Sequence, residues 1–219
     1  MQSCRKSKSP RGIFTVSLIG LVVFFGQPGS AEPPDALASL LEQFQAVQTL
    51  SASFIEEKRI SLLSEPLINF GHIEYSRPMR LERRTTKPFE SIWRLERNLM
   101  MFDDGREKTT IDLREYPEAS RLATAFMDVL EGDVDRLRKN FRANFVPQRG
   151  DAPWKLELTP LIEGNRSLFR RIEISGRGVL VQRLVVIERS GDTSTTTFSG
   201  ARIQTAGDDV PTEEDPSIP

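Results

Sequence analysis

Cysteine is almost missing from this chain: among 219 residues Cys4 stands alone, and histidine is as scarce, with His72 its only example. Cys4 falls in a basic stretch with Arg5, Lys6, Lys8 and Arg11, followed by an apolar run from Ile13 to Phe25 and by Gln27-Pro28-Gly29-Ser30-Ala31. A positive start, a short apolar centre and small residues before a cut are the three parts of a secretory signal peptide. Cleavage is expected after Ala31, so residues 1–31 leave and take Cys4 with them. The product then has no thiol, which excludes a disulfide, a cysteine nucleophile and a thiolate metal site. A 13-residue run also falls short of the about 20 apolar residues a membrane-spanning helix needs. Because Cys4 precedes the run, it is not placed for lipid attachment. The expectation is a soluble monomer in the periplasm of a Gram-negative bacterium.

A basic surface is missing too. Four of the 30 basic residues and none of the 31 acidic ones lie in residues 1–31, so the mature chain carries 26 basic against 31 acidic residues, a net −5. Nucleic-acid binding wants a clustered basic footprint, and no nucleic-acid partner is expected. The catalytic signatures are absent as well: no G-x-S-x-G elbow, no H-E-x-x-H pair and no G-x-x-x-x-G-K-[ST] phosphate loop. His72 sits in Gly71-His72-Ile73-Glu74-Tyr75, where strand alternation turns it away from the apolar face. Glu56 and Glu57 are strand neighbours and so face opposite ways, which prevents them from sharing a proton. Asp103-Asp104-Gly105 lacks the following oxygen ligands of a cation loop and reads as a hairpin turn; Gly176-Arg177-Gly178 reads as a turn between strands. No enzyme activity, cofactor or metal is expected.

What is present is patterning. Asp35 can cap a helix in which Leu37, Leu40, Leu41, Phe44 and Val47 recur at three- and four-residue spacing. From Ser51 the period changes to two, with segments near 52–62, 67–76, 79–87, 89–96, 98–103 and 105–113 parted by Glu65-Pro66, Arg77-Pro78, Lys87-Pro88 and Asp103-Asp104-Gly105. Consecutive hairpins are the simplest connection. Pro117 opens a helical insertion with Leu122, Phe126, Val129 and Leu130 on one face, ending at Gly132-Asp133, and a short second helix follows over 133–140. Strand patterns resume in 154–158, 168–175, 179–188 and 193–198. The fold class expected is mainly β with helices (α+β): an unclosed antiparallel β-barrel or curved sheet of about 10–11 strands, capped by an N-terminal helix and a helical lid. Its domain is expected over 32–204, with an acidic, disordered tail over 205–219.

These elements, in this order, resemble the LolA-type periplasmic lipoprotein carriers. The stretches that carry the resemblance are Ser53-Phe54-Ile55-Glu56-Glu57-Lys58-Arg59-Ile60, Pro66-Leu67, Gly71-His72-Ile73-Glu74-Tyr75-Ser76-Arg77-Pro78 and Lys87-Pro88-Phe89-Glu90-Ser91-Ile92. The second half, with Phe126 to Gly132-Asp133 and Trp154-Lys155-Leu156-Glu157-Leu158-Thr159-Pro160, is similar to a divergent LolA-related subgroup. One departure is visible: where the carriers have an aromatic-rich strand after Arg-Pro, this chain has Met79-Arg80-Leu81-Glu82-Arg83-Arg84.

The resemblance implies a carrier that shields the acyl chains of lipoproteins between the inner and outer membranes, with an inner-membrane release complex and an outer-membrane acceptor as partners. It implies a concave apolar face, assigned to Phe54, Ile73, Tyr75, Leu81, Trp93 and Leu95 from the sheet and Leu122, Phe126 and Leu130 from the lid. It also implies that Arg77 locks the lid by donating to helix carbonyls. Two other readings stay open at this stage: a carrier of another acylated or polyene-type lipid, and an adaptor that keeps the fold with a filled core and binds a protein.

Overall fold

The computed structural model describes residues 35–161 and 168–208, with the backbone alone for 117–119. The expected signal peptide and the expected tail from 209 onward lie outside the described residues. The first helix, α1 (Ala36–Gln45), begins where expected: the Asp35 carboxylate accepts from the Leu37 and Ala38 N–H groups at 3.2 and 3.3 Å. These are two of the donors that a helix start leaves without an intrahelical partner. Leu37, Leu40, Leu41 and Phe44 form its buried stripe. Val47 does not continue the helix as its spacing suggested. It is buried, but it opens β1 (Val47–Arg59), because the sheet takes its backbone into the pairing with Thr205.

The strands follow as β2 (Leu67–Ser76), β3 (Arg80–Lys87), β4 (Ser91–Glu96), β5 (Leu99–Asp103) and β6 (Lys108–Asp112). Next come the helices α2 (Pro117–Glu131) and α3 (Val134–Asn140), and then β7 (Phe141–Val146), β8 (Trp154–Pro160), β9 (Phe169–Arg177), β10 (Leu180–Glu188) and β11 (Thr193–Thr205). All eleven strands form one antiparallel sheet in the order β6-β5-β4-β3-β2-β1-β11-β10-β9-β8-β7. Two meanders thus meet where the first strand pairs with the last, and β6 and β7 remain as the two edges, so the barrel is unclosed as expected. Strand β7 is absent from the sequence reading. Its alternation, Phe141, Ala143 and Phe145 inward against Arg142 and Asn144 outward, is only six residues long and follows the helix directly. Strand β11 also runs further than the 193–198 expected, and residues 205–208 end it in a turn.

Helices α2 and α3 bridge the two edges and pack on the inner face with α1, so one apolar core holds Leu37, Leu41, Phe44, Val129, Leu137, Trp154 and Ile174. Gly132 ends α2 with φ +71°, the left-handed conformation in which a side chain is costly, and a Cβ there would stand 2.3 Å from the Leu41 carbonyl oxygen. The aspartate after it caps α3 by accepting from Arg136 N–H at 2.9 Å. Asp103-Asp104-Gly105 is a hairpin turn: the Asp103 and Asp104 carboxylates accept backbone N–H groups of residues 105–107 at 2.9 Å. Gly176, expected in a turn, lies inside β9, where a Cβ would meet Trp154 at 2.8 Å; the turn begins only at Gly178.

Candidate functional site

Alternation decides which side chains face α2. Ladder pairs bring Phe54 opposite Phe198, Ala52 opposite Ile73, Tyr75 opposite Leu81, and Leu184 opposite Ile174. Between this inner face and α2 lies a cleft of about 320 Å³. Its apolar lining comes from Ile73 and Leu81 on one side, Ile172, Ile174, Leu184 and Val186 on the other, Phe198 between them and Leu122, Ala123 and Phe126 from the helix. A second, nearly filled space of about 20 Å³ continues it past Tyr75, Leu130 and Val181, sharing Ile73, Leu81, Phe126 and Phe198. Apolar walls with open volume between them favour a hydrocarbon over water, by about 25 cal/mol per Å² of apolar area buried. Another depression, of about 360 Å³, lies along β7–β10 but is lined in part by Lys155, Glu157, Glu173 and Arg183, side chains that suit water better than a hydrocarbon.

One end of the cleft is polar. Glu56 accepts from Arg83 Nη2 at 2.7 Å, Ser194 Oγ at 2.7 Å and Asn69 Nδ2 at 2.9 Å. Burial opposes the charge on this carboxylate, but the Arg83 charge and the three bonds outweigh it and hold its pKa below the ordinary glutamate value. Arg83 also lies over the Phe54 ring, 4.3 Å from its centroid. The same ring covers Gly71, where a Cβ would sit 2.7 Å from the ring and 2.0 Å from the Arg84 carbonyl oxygen. The glycine thus lets Phe54 lie flat across the neighbouring strand.

At the opposite end the β2–β3 turn grips the C-terminus of α2. Arg77 donates from Nη1 to Glu131 Oε2 at 2.8 Å, from Nη2 to the Phe44 and Leu130 carbonyls at 3.1 and 3.3 Å, and from Nε to the Val47 carbonyl at 3.0 Å. Glu131 Oε1 accepts in turn from Tyr75 Oη at 2.6 Å and from Met79 N–H at 2.8 Å. Burial, then the bond to Glu131, push the Tyr75 phenol well above its ordinary value, so it stays a donor. One guanidinium thereby joins both helices to the sheet, using the fork of donors that only arginine offers.

Most of the residues singled out in the sequence meet here. Ile73, Leu81, Leu122 and Phe126 line the cleft, Tyr75 and Leu130 the space behind it, and Phe54 packs in the same cluster with Ile73, Leu81, Phe126 and Phe198. Trp93 and Leu95 are on the same face, opposite Arg83 and Leu81, but outside the lining; Trp93 packs against Phe102 with ring centroids 4.4 Å apart. Arg77, singled out on the resemblance, donates to the Leu130 and Glu131 carbonyls of α2 and also to the Glu131 carboxylate, which sequence reasoning missed. A carboxylate in the last turn of a helix opposes the helix dipole, and that misfit was the available signal. The inward rows of β9, β10 and β11 were legible as alternation, yet nothing in the sequence tied them to α2. Of the charged residues in Arg80–Arg84, alternation sends Arg80, Glu82 and Arg84 outward, and Arg83 alone enters the cleft, beside Leu81. Among the described residues no three His, Cys, Asp or Glu side chains are grouped to hold a metal ion, and no helix is long and apolar enough to cross a membrane.

The model of the family described as outer membrane lipoprotein carrier protein LolA-like matches residues 29–215. No curated protein matches the chain. Among solved structures, it is similar to a LolA superfamily protein from Nitrosomonas europaea at 10% identity and TM-score 0.44, covering 79% of this chain and 94% of that one. The Mycobacterium tuberculosis lipoprotein LppX is similar at 13% identity and TM-score 0.39, covering 76% and 95%. The Pseudomonas aeruginosa MucA/MucB complex gives 14% and 0.46, covering 78% of this chain and 57% of the other.

Proposed function

Because the chain belongs to the LolA-like family of outer membrane lipoprotein carrier proteins, we propose that it is a periplasmic carrier that shields the acyl chains of a lipoprotein during transfer from the inner to the outer membrane. The observation that carries the reading is the apolar cleft between α2 and the inner face of the sheet. An acyl chain in water costs about 0.8 kcal/mol for each exposed methylene, so crossing an aqueous compartment requires such a cover. A carrier must also let go, and a latch of hydrogen bonds at one end of α2 suits a cover that opens better than a sealed core would.

The residues proposed to face the chain are Ile73, Leu81, Leu122 and Phe126, with Phe54, Tyr75 and Leu130 behind them and Phe198, Ile174, Leu184 and Val186 opposite. Trp93 and Leu95 extend the same face for a cargo longer than the cleft. The partners implied are a release complex in the inner membrane and an acceptor in the outer one. The chain would then do its work by binding and release, with no catalytic step. The test is transfer of a triacylated lipoprotein, released from inner-membrane vesicles, to acceptor outer membranes. The mature protein should hold the lipoprotein in the soluble fraction and pass it on. A lipoprotein that stays in the donor vesicles at every carrier concentration would contradict the reading.

A further inference from the structure

The cleft is amphipathic along its length, and three adjacent strands make it so at the same level. Along β1 the inward residues run Phe54, Glu56, Lys58; along β10 they run Leu184, Val186, Glu188; along β11, in the opposite chain direction, Phe198, Thr196, Ser194. Register aligns these changes, with Glu56 opposite Thr196 and Lys58 opposite Ser194. A site meant only for hydrocarbon would not place Glu56, largely shielded from water, on its wall, since burying a charged group is costly unless it is paired.

The charges at this end cancel. Glu56 is held by Arg83 at 2.7 Å, and Lys58 by Glu188 at 3.5 Å. Arg83 gives Glu56 one of its five N–H donors, which leaves donors for an acceptor arriving in the cleft, and Thr196, 7% exposed, adds a hydroxyl beside it. Resting on the carrier reading above, we propose that this end selects an uncharged, acceptor-bearing headgroup: ester or amide carbonyls and hydroxyls attached to the chain that lies under α2. An anionic headgroup would leave the set with one negative charge too many, or would displace Glu56 from Arg83 and strand a shielded carboxylate. A cationic one would meet Arg83 and Lys58 with their partners already taken. Only a neutral group can use the spare donors without breaking a pair or leaving a net charge at this end of the cleft.

The experiment is calorimetric titration of the delipidated mature protein at neutral pH. One probe is monododecanoylglycerol and the other dodecyl sulfate, which shares the tail length but carries a fixed charge; both are kept below their micelle concentrations. The glycerol ester should bind about tenfold tighter or more, since like-charge juxtaposition is strongly disfavoured. Glu56→Gln can keep its carbonyl oxygen as the acceptor for Asn69 and turn its amide N–H to donate to Ser194 Oγ; it gives the set a net positive charge and should reverse the preference. The wild-type comparison stands alone should that variant fail to fold. Equal affinities, or tighter binding of the sulfate by the wild type, would overturn the headgroup proposal while leaving the carrier reading intact. Binding of neither probe would overturn both.

Discussion

The grip of Arg77 on Glu131 lends itself to a double-mutant cycle. Their side chains are 21% and 12% exposed and meet at 2.8 Å, so the pair is shielded well beyond the surface case, where ion pairs give about 0–1 kcal/mol. Arg77→Leu removes this bond and four to the carbonyls of Phe44, Val47, Leu130 and Glu131, leaving the Glu131 carboxylate with Tyr75 and Met79. Breaking a buried pair by removing one partner costs about 3–5 kcal/mol, and partial exposure puts the expected loss near the lower end. Glu131→Gln keeps acceptors for Tyr75 and Met79 and should cost about 1–2 kcal/mol. If the two residues act as one latch, the double variant should be less destabilised than the sum, with a coupling of about 1–3 kcal/mol. Urea unfolding of the four proteins measures this. A coupling below about 0.5 kcal/mol would refute the latch. The same cycle has a functional arm: releasing cargo lets the bonds re-form, so Arg77→Leu should hold an acylated cargo longer, by about tenfold in release rate for 1.4 kcal/mol. Equal release rates from the folded variant and the wild type would refute the proposed link between the latch and release.

Two further predictions concern stability. Asp128 is fully buried in α2, and burial pushes its carboxyl up to about 6 although Arg136 bonds it. The folded state therefore binds more protons than the unfolded one between about 3.8 and 6, and stability falls as pH rises through that window. At about 1.4 kcal/mol per unit, the loss approaches 3 kcal/mol. Asp128→Asn should remove it, so the difference in unfolding free energy between variant and wild type should grow from pH 4 to pH 7; a difference independent of pH would contradict the assignment. Gly71→Ala should destabilise by about 1–3 kcal/mol or more, because the added methyl meets backbone and the Phe54 ring. An unchanged urea midpoint would show that Phe54 does not need that close approach.

The sheet was legible in the sequence wherever alternation was long and bounded by breakers, as in β2 between Glu65-Pro66 and Arg77-Pro78. It was not legible in β7, where six residues of alternation abut a helix, nor at Val47, which satisfies both the helical spacing and the first position of a strand. The cleft was half legible for a related reason. Ile73, Tyr75 and Leu81 stand in one meander, and their common face follows from parity; Ile174, Leu184 and Phe198 stand in the other, and only the β1–β11 pairing joins the two. Long-range pairing leaves no local mark. Glu56 showed why parity still helps: it separates this glutamate from Glu57, which faces outward and pairs with Arg59 at 2.6 Å. What parity could not give was the partner, because Arg83, Asn69 and Ser194 come from three different strands.

The central claim, that the cleft under α2 receives an acyl chain, is tested most directly by filling it. Neither tryptophan lines the cleft, so binding is best followed by native mass spectrometry. Ala123 faces the open volume from α2, and Ala123→Phe should occupy it while the latch at Arg77 and the core around Leu137 and Trp154 remain untouched. Wild-type protein mixed with monoacylglycerol should show a one-to-one adduct, and the folded Ala123→Phe variant should lose it. An adduct of equal abundance on both proteins would place the lipid elsewhere and contradict the account.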